Sequence, residues 1–252
     1  MANNFVLTDY AYSSILDMIL SSEIKPGERI REDILAERFG ISRTPVREAI
    51  NQLVQNGFVV NIKRKGLYCV NITKSELLDM LELRVALESI SFNKCIDLAS
   101  DEDIAYIKGI IDEFNHKYNQ ILRTEDSNSS KEIAQLHNTY DVKFHVSIAN
   151  ISKSNKLIKY ITEIENTLLI ARQRIYKNTN EGKSIILLSW KQHELMLESI
   201  QSRDKTEAVN MLHSHLKLMR DTQVDINEPD SIDEPDITNE PGIVPEKKAA
   251  AL

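Results

Sequence analysis

The chain has 252 residues, 42% of them hydrophobic, so it can form one large or two ordinary domains with apolar cores. Its formal net charge of −7 excludes a uniformly basic nucleic-acid binder. Its two cysteines, Cys69 and Cys95, are too few for a disulfide framework or a cysteine-based zinc site. We find no signal peptide or membrane-spanning apolar run and therefore expect a soluble, cytoplasmic protein with free thiols.

The first predicted elements are two short helices. An apolar stripe predicts a helix at Tyr10–Leu20, with Asp9 or Thr8 available to cap it. A second helix is predicted at Arg31–Phe39 and is ended by Gly40.

A third helix begins with two arginines one helical turn apart, Arg43 and Arg47. Ser42 is its predicted N-cap, and Pro45 lies in the first turn, where its missing N–H costs nothing. The helix is predicted to end at Asn56-Gly57. Arginines at the N-terminal end of the second helix of a helix-turn-helix reach bases and phosphates in the major groove.

A basic hairpin follows the three helices. Phe58–Ile62 and Leu67–Ile72 are predicted strands on either side of the turn Lys63-Arg64-Lys65-Gly66. From Ser42 to Val70 the net charge is +4, so positive charge is concentrated where phosphate attraction needs it. The order of elements predicts a winged helix-turn-helix domain over residues 1–72.

This arrangement favours DNA binding. Arg43 and Arg47 can pair bidentately with guanine or with phosphate, and Thr44 can bond phosphate or contact a thymine methyl group. The alternative for the two arginines is a surface ion pair with Glu37 or Glu48. The predicted DNA contacts are Arg31, Ser42, Arg43, Thr44, Pro45, Arg47, Lys65 and Gly66.

The sequence beyond Thr73 is helical nearly throughout. Thr73 and Glu76 have the spacing of a capping box. Short connections between the helices predict an all-α bundle of six to seven helices over residues 73–223. The predicted helices are Glu76–Leu98, Glu102–Arg123, Lys131–Ile151, Asn155–Tyr176, Ser184–Ser202 and Lys205–Gln223.

Residues 224–252 have a different composition. They carry a net charge of −6 and repeat an acidic Asn-Glu-Pro or Asp-Glu-Pro triplet every six residues. Such a segment cannot bury enough apolar surface to form a core, so we predict a disordered acidic tail.

A second set of residues has the chemistry of a metal site. Asp141 and His145 are four residues apart on one predicted helix face, and His193 and His215 lie in later helices. Three imidazoles and a carboxylate suit Zn²⁺ or Ni²⁺ and leave positions for water or a ligand. From spacing alone, the stronger alternative is that these are unconnected core or surface residues.

The N-terminal motifs resemble those of the GntR family of bacterial transcription regulators. The resemblance covers roughly Tyr10–Ile72 and implies a dimer that binds a near-palindromic operator through Arg43 and Arg47. Some FadR-type relatives carry a further arginine early in the second helix, where this chain has Asp33; Arg31 is near enough to substitute. The motifs are Pro26-Gly27, Leu35-Ala36, Phe39-Gly40, Ser42-Arg43-Thr44-Pro45-Val46-Arg47-Glu48-Ala49, Leu53, Gly57 and Gly66.

The C-terminal motifs resemble the all-helical FCD effector domain of FadR-type GntR regulators. They are Arg84 and Glu88, Asp141-Val142-Lys143-Phe144-His145, Ser154-Asn155, and His193 with His215-Leu216. The resemblance implies a divalent metal, zinc or alternatively nickel, held by Asp141, His145, His193 and His215. It further implies a small organic-acid or sugar-acid effector beside the metal, with Arg84 as an effector-binding residue.

Several other residues have less specific patterns. We expect His116, His137 and His213 to be solvated or to lie behind the ligands. Arg172 and Arg174 could neutralise an effector carboxylate but are equally compatible with surface charges. Trp190 could line the pocket or pack in the core.

We therefore expect a metabolite-responsive transcriptional regulator and not an enzyme. Its expected partners are double-stranded operator DNA, a small carboxylate effector and a second copy of the chain, with no membrane. Repression is the favoured mode. The alternatives are a metal-dependent hydrolase carrying a DNA-binding domain and a constitutive architectural DNA-binding protein.

Overall fold

The computed structural model describes residues 2–124, 129–175 and 180–223. The predicted acidic tail at 224–252 lies outside the described residues. Within them the chain is mainly helical, with one small sheet. The elements are α1 (Ala2–Leu20), β1 (Arg29–Ile30), α2 (Glu32–Phe39), α3 (Arg43–Gln55), β2 (Val59–Ile62), β3 (Gly66–Cys69), α4 (Lys74–Leu98), α5 (Asp101–Arg123), α6 (Ser129–Ile151), α7 (Asn155–Ile175), α8 (Asn180–Gln201) and α9 (Lys205–Gln223).

The first helix is longer than predicted. It begins at Ala2 rather than near Tyr10, so Thr8 and Asp9 lie inside it and neither caps it. Thr8 is buried, and its hydroxyl donates a 2.9 Å hydrogen bond to the carboxylate of Glu48. A side chain that resembles a cap in sequence therefore makes a tertiary contact with α3.

The helix-turn-helix forms as predicted. Gly40 ends α2 in the left-handed region at φ 65°, which favours glycine. Ser42 occupies the N-cap position of α3 in an extended conformation, but its side chain makes no capping hydrogen bond. The apolar face of α3 packs against α1 and comprises Val46, Ala49, Ile50 and Leu53, all fully buried.

The predicted hairpin is the wing, and it has a third strand. Strands β2 and β3 pair antiparallel, with Val59 opposite Cys69. Strand β1 adds to the other edge of β3, with Arg29 opposite Tyr68, giving the order β1-β3-β2. Sequence patterning missed β1 because two residues show no readable alternation.

Helices α4 to α9 form the predicted bundle. The capping box at Thr73 is confirmed, because its hydroxyl accepts from the backbone N–H of Glu76 while the carboxylate of Glu76 accepts from Thr73. A second capping box joins Ser100 and Asp103. Helix α9 has the predicted bounds, whereas α8 begins at Asn180 rather than Ser184. None of the described helices is long and apolar enough to cross a membrane.

The winged unit contacts the bundle through α7. A Cβ atom added to Gly57, just after α3, would lie 3.1 Å from the side-chain oxygen of Thr167. A cleft of about 690 Å³ separates α1 from α6 and α7. The cleft is bounded by Leu16 and Leu20 of α1 and by Asn138 and Val142 of α6.

Candidate metal centre and nucleic-acid interface

The predicted recognition residues lie at the exposed start of α3. Ser42, Arg43, Thr44 and Arg47 are all exposed. Pro45 is buried beneath them, so it fixes the first turn and presents no side chain to a partner. The exposed residues form a polar surface with two guanidinium groups one turn apart.

Arg43 and Arg47 do not form the surface ion pairs that the sequence left open as an alternative. Among the described residues, Arg43 and Arg47 form no ion pair with Glu37 or Glu48, and Glu48 accepts a hydrogen bond from Thr8. Arg31 is bound by the neighbouring Asp33 at 2.8 Å, and both side chains are largely exposed. Part of the charge of Arg31 is therefore already compensated.

The wing presents a basic tip. Lys63, Arg64 and Lys65 are exposed, with Arg64 in the left-handed region at φ 66° and Gly66 at φ 113°. A Cβ atom on Gly66 would lie 3.5 Å from the guanidinium of Arg29. Arg29 thus adds an exposed cation that sequence reasoning missed, because its strand was not predicted.

The four predicted metal ligands converge inside the bundle. One ligand atom from each of Asp141, His145, His193 and His215 lies within 4.8 Å of the others. Oδ1 of Asp141 is 3.3 Å from Nε2 of His193 and 3.8 Å from Nε2 of both His145 and His215. Four donors around a tetrahedral first-row ion lie roughly 3.3 Å apart. The separations therefore suit a metal ion.

Two of the three remaining imidazole nitrogens lie close to a side-chain oxygen, whereas Nδ1 of His193 has no hydrogen-bond partner among the described residues. Nδ1 of His145 lies 2.6 Å from a carboxylate oxygen of Glu88, and Nδ1 of His215 lies 3.3 Å from the side-chain oxygen of Gln192. A proton on each of these two Nδ1 atoms leaves Nε2 of the same ring with its lone pair available to a cation, as in carboxylate–histidine–metal arrangements.

Protonation also suits metal binding. Burial holds the pKa of His193 and of His215 well below the ordinary histidine value, so both rings are neutral near pH 7. Burial would raise the pKa of Asp141, but Arg172 and the neighbouring imidazoles hold it well below its usual range. Oδ1 of Asp141 and Nε2 of His215 have no hydrogen-bond partner among the described residues. Neutral imidazoles and an ionised carboxylate are the forms that bind a cation.

A buried charge network surrounds the centre. Arg172 lies 2.8 Å from Oδ2 of Asp141 and donates a 3.0 Å hydrogen bond to Glu165. Arg84 is 2.7 Å from Glu165 and also pairs with Glu88. Burial would lower the pKa of Arg84, but Glu165 and Glu88 raise it above its ordinary value. Arg172 is fully buried, so the surface alternative for this residue is wrong.

Aromatic rings close one side of the centre. Trp190 stacks on Phe114 with ring centroids 3.8 Å apart and meets His193 edge-on at 4.6 Å. Its Nε1–H donates a 3.1 Å hydrogen bond to Nδ1 of His137. Trp190 is therefore both a core residue and a wall of the site.

The three histidines outside the ligand set lie in different environments. His137 is buried behind the ligands, and burial lowers its pKa to about 4. His116 and His213 are exposed. The side chain of Arg174 lies outside the described residues. The structure thus brings all four predicted ligands together with Arg84. It also places Arg172, Glu165 and Glu88 in the same buried cluster.

Comparison with protein families shows two matches. Residues 7–69 match the family described as bacterial regulatory proteins, gntR family. Residues 79–218 match the FCD domain.

Several relatives resemble this chain over most of its length. The Nta operon transcriptional regulator of Aminobacter aminovorans is 27% identical over 83% of this chain and 90% of its own. The repressor GlaR of Escherichia coli is 24% identical, covering 81% and 90%. The gluconate operon transcriptional repressor of Bacillus subtilis is 23% identical, covering 82% and 81%.

Solved structures share the fold. Escherichia coli McbR/YncC superposes with a TM-score of 0.68 at 18% identity, covering 86% of this chain and 97% of that protein. A putative GntR regulator from Rhodococcus sp. RHA1 has a TM-score of 0.65 at 16% identity, covering 88% and 99%.

Proposed function

The chain belongs to the gntR family of bacterial regulatory proteins and carries an FCD domain, and on that basis we propose that it is a repressor whose operator binding responds to a small carboxylate held at a metal centre. Its relatives are named as transcriptional regulators and not as enzymes. The observation that carries the proposal is the convergence of Asp141, His145, His193 and His215 in a chain that also presents Arg43 and Arg47 on an exposed recognition helix.

The DNA-reading half rests on the exposed face of α3. Arg43 and Arg47 read bases or phosphates in the major groove, while Thr44 and Ser42 bond the backbone. Lys65, Gly66 and the rest of the wing tip lie against the adjacent backbone or minor groove. Arg31, although paired with Asp33, adds positive charge beside the phosphates.

The control half rests on the metal centre. Asp141, His145, His193 and His215 would hold Zn²⁺, with Ni²⁺ as the alternative for the same donors. When bound, the ion supplies a positive Lewis-acid site for a carboxylate. A hydrolase would need a general base beside the ion. Glu194, which follows His193 in the sequence, pairs with Lys191 and accepts a hydrogen bond from Asn115. It therefore gives the hydrolase alternative no support.

Charge balance supports a singly charged acid as effector. Five buried charged side chains pair with one another around the centre. They are two arginines, Arg84 and Arg172, and three carboxylates, Asp141, Glu88 and Glu165. A divalent ion changes their net charge from −1 to +1, which one effector carboxylate neutralises. Arg84 has N–H groups to offer, because Nη1 donates only weakly to the thioether of Met219 and Nη2 has no hydrogen-bond partner among the described residues.

The proposed active form is a homodimer. Leu83 and Ile90 of α4 are 56% and 49% exposed, and Leu87 continues the same helical stripe. An exposed apolar stripe on the bundle suits a self-complementary contact with a second copy. Two winged domains related by a two-fold axis would then match a near-palindromic operator.

Effector control requires that the acid bind one arrangement of the dimer more tightly than another. The metal ligands on α6 lie beside α7, and α7 contacts the winged domain at Gly57. A coupling of about 1–3 kcal/mol would change operator affinity about 5–150-fold.

The test begins with selection of operator DNA from random duplexes by the zinc-loaded protein. Fluorescence anisotropy with that duplex is then repeated across a panel of small carboxylic and sugar acids. At least one acid is expected to change Kd about 5–150-fold, and chelated protein should not respond. If no sequence is enriched, or no acid alters Kd in metal-loaded protein, the proposal is contradicted.

A further inference from the structure

The winged unit presents a group of exposed cations that have no ion-pair partner among the described residues. They lie at the start of α3, at the wing tip and on β1. By contrast, the exposed Arg31 and Arg38 of the same unit pair with Asp33 and Glu23. A cluster of unpaired cations attracts polyanions, DNA included. The unpaired cations at these three places, here called the basic surface, are Arg29, Arg43, Arg47, Lys63, Arg64 and Lys65.

The acidic tail, residues 224–252, is a polyanion that the same chain supplies. Its eight acidic residues against Lys247 and Lys248 give it a net charge of −6, nearly all of the −7 of the whole chain. Neither the DNA-reading face nor the metal centre uses this charge. Blocks of like charge are often interaction segments. The acidic residues are Asp225, Glu228, Asp230, Asp233, Glu234, Asp236, Glu240 and Glu246.

The tail follows α9, and α9 ends towards the wing. Lys205 at the start of α9 pairs with Asp97 near the end of α4, whereas Met219 near the end of α9 lies 3.2 Å from Nη1 of Arg84. The two helices are therefore antiparallel, and the end of α9 lies beside the first turns of α4. Only four residues separate the start of α4 from β3. The tail thus leaves the bundle at the end that is joined to the wing.

The tail is long enough to reach the basic surface. One path runs from the end of α9 across to α4, back to the first residue of α4, and then along the chain to Lys65. This path is about 50 Å at most, from the helix rise, the spacing of packed helices and the length of extended chain. A segment spanning residues 224–252 extends to about 95 Å. The second half of the tail can therefore lie on the wing.

We propose that the acidic tail docks on the basic surface of its own chain and competes with DNA for it. The inference goes beyond the proposed function but uses its DNA-reading face. Tail carboxylates pair with the guanidinium and ammonium groups that DNA phosphates would otherwise contact. Every duplex must displace the tail, whatever its sequence. The tail therefore lowers the affinity for all duplexes by one factor and leaves base preference unchanged.

The size of this factor follows from the fraction of molecules whose basic surface is free. A contact with a dissociation constant of about 0.1 mM, at the effective concentration of about 1 mM that a short tether provides, leaves about one-tenth of the surfaces free. Apparent affinity falls with that fraction. The intact tail should then weaken DNA binding about ten-fold.

The first test removes half of the tail's acidic residues from the zinc-loaded full-length protein. The tail variant carries Asp233→Asn, Glu234→Gln, Asp236→Asn and Glu240→Gln. It is expected to bind a random-sequence duplex and the selected operator about five-fold or more tightly than the wild type, by the same factor for both. Fluorescence anisotropy measures both affinities. The gain should shrink as salt is raised, because screening weakens the tail contact.

A bundle variant controls for the change in overall charge. It replaces four acidic residues at exposed positions of the bundle and removes the same charge outside the tail, so its affinity for both duplexes should stay close to that of the wild type. The four changes are Glu82→Gln, Glu102→Gln, Glu132→Gln and Glu198→Gln.

The second test detects docking without DNA. A carbodiimide joins a carboxylate to an amine only when the two are in contact, and mass spectrometry identifies the joined residues. Lys63 and Lys65 are expected to couple to tail carboxylates, and added duplex should suppress this coupling. Lys94, an exposed lysine of α4 outside the basic surface, lies no farther along the chain path from the end of α9 and should couple much less. In a mixture of ¹⁵N-labelled and unlabelled protein, the coupled residues should belong to the same chain.

Three results would overturn the inference: equal affinities of the wild type and the tail variant, an equal gain in the bundle variant, or coupling of the wing lysines no greater than that of Lys94. Coupling found only between different chains would also contradict docking on the same chain. Failure of the proposed function has another signature, because enrichment of no operator, or no response to acids, leaves the coupling and the random-duplex comparison unchanged.

Discussion

At the scale of single residues, the proposed metal centre depends on groups behind the four side chains that would ligate the ion. Glu88 faces Nδ1 of His145 and is itself held ionised: burial would raise its pKa, but Arg84 and His145 lower it. In the proposed centre this carboxylate orients the ring and makes Nε2 a better electron-pair donor to the ion. Glu88 would then be a positioning residue and not a ligand.

Glu88→Gln is therefore expected to weaken zinc affinity about 10–100-fold, because the ring loses its anionic partner. Competition with a chromophoric chelator measures this affinity. Glu82→Gln, at an exposed position of the same helix, removes an equal charge and should have no effect. Equal affinities for the wild type and Glu88→Gln would remove Glu88 from the centre.

His137 makes the stability of the metal-free protein depend on pH. Its pKa is lowered from 6.5 to about 4 by burial. Between these values the unfolded chain binds a proton at this residue that the folded chain does not, so the free energy of unfolding falls as pH falls below 6.5. From pH 7.5 to 5 the loss is about 2 kcal/mol.

Urea unfolding of chelated protein at pH 7.5 and pH 5 tests this effect. His137→Gln retains an acceptor for Trp190 but cannot take up the proton, so it should lose about 2 kcal/mol less than the wild type. Other histidines contribute equally to both proteins. Identical losses would show that His137 is not buried in its neutral form.

The sequence predicts only part of the set of residues that form the candidate metal centre. Asp141 and His145 have a helical spacing that places them together, whereas His193 and His215 are brought beside them only through the packing of α8 and α9. Arg172 and Glu165 are two turns apart on α7, and their charge alone predicts a solvated face. Their burial depends on contacts with Arg84 and Asp141 that no local pattern contains.

At the scale of elements, α3 and the wing have separate tasks. In the proposed complex, helix α3 presents two guanidinium groups to base edges, while the wing presents exposed cations suited to phosphate. Base contacts determine sequence preference and phosphate contacts determine overall affinity. Changes in the two elements should therefore have different signatures.

Arg47→Ala is expected to weaken operator binding by about 1–3 kcal/mol and to relax preference at the contacted base. Arg38→Ala is the control, because Arg38 lies on α2 and pairs with Glu23. Anisotropy with the selected operator and with single-base variants of it measures both effects. An unchanged preference in Arg47→Ala would remove this residue from base reading.

Lys65→Gln should act differently from Arg47→Ala. A phosphate contact contributes through counterion release, so affinity should fall on all sequences and the salt slope should decrease by about 1. Operator titrations at several salt concentrations give this slope. A loss confined to one sequence would contradict the assignment of Lys65 to the backbone.

The order of the elements was predicted correctly from the sequence, whereas some of their boundaries were not. Gly40 and the Thr73 capping box mark boundaries through local chemistry, so the structure has them as predicted. The start of α1 and the strand β1 depend on packing against α3 and on pairing with β3. Such non-local contacts leave no periodic signal.

At the scale of the whole molecule, the proposed regulator couples two sites that belong to different domains. The proposed metal ligands lie on α6, α8 and α9, and the proposed DNA-reading arginines lie at the start of α3. Gly57 and Thr167 form one of the direct contacts between the two units. Under the proposal, ligand binding in the bundle changes the position of the winged domain through such contacts.

Dimerisation is tested on the α4 stripe. Leu83→Glu with Ile90→Glu should shift the protein from dimer to monomer in sedimentation velocity, because two charges would be buried at the interface. Tyr106→Glu on α5 replaces a similarly exposed apolar residue outside the stripe and should leave the dimer intact. A dimer that survives the double substitution would place the interface elsewhere.

The metal content of the purified protein tests the central claim most directly. After reconstitution with zinc and gel filtration, we expect one zinc ion per chain by mass spectrometry of the dissolved metal. His193→Ala with His215→Ala should abolish zinc binding and leave DNA binding by the winged domain intact. Stoichiometric zinc in that double variant, or none in the wild type, would contradict the account.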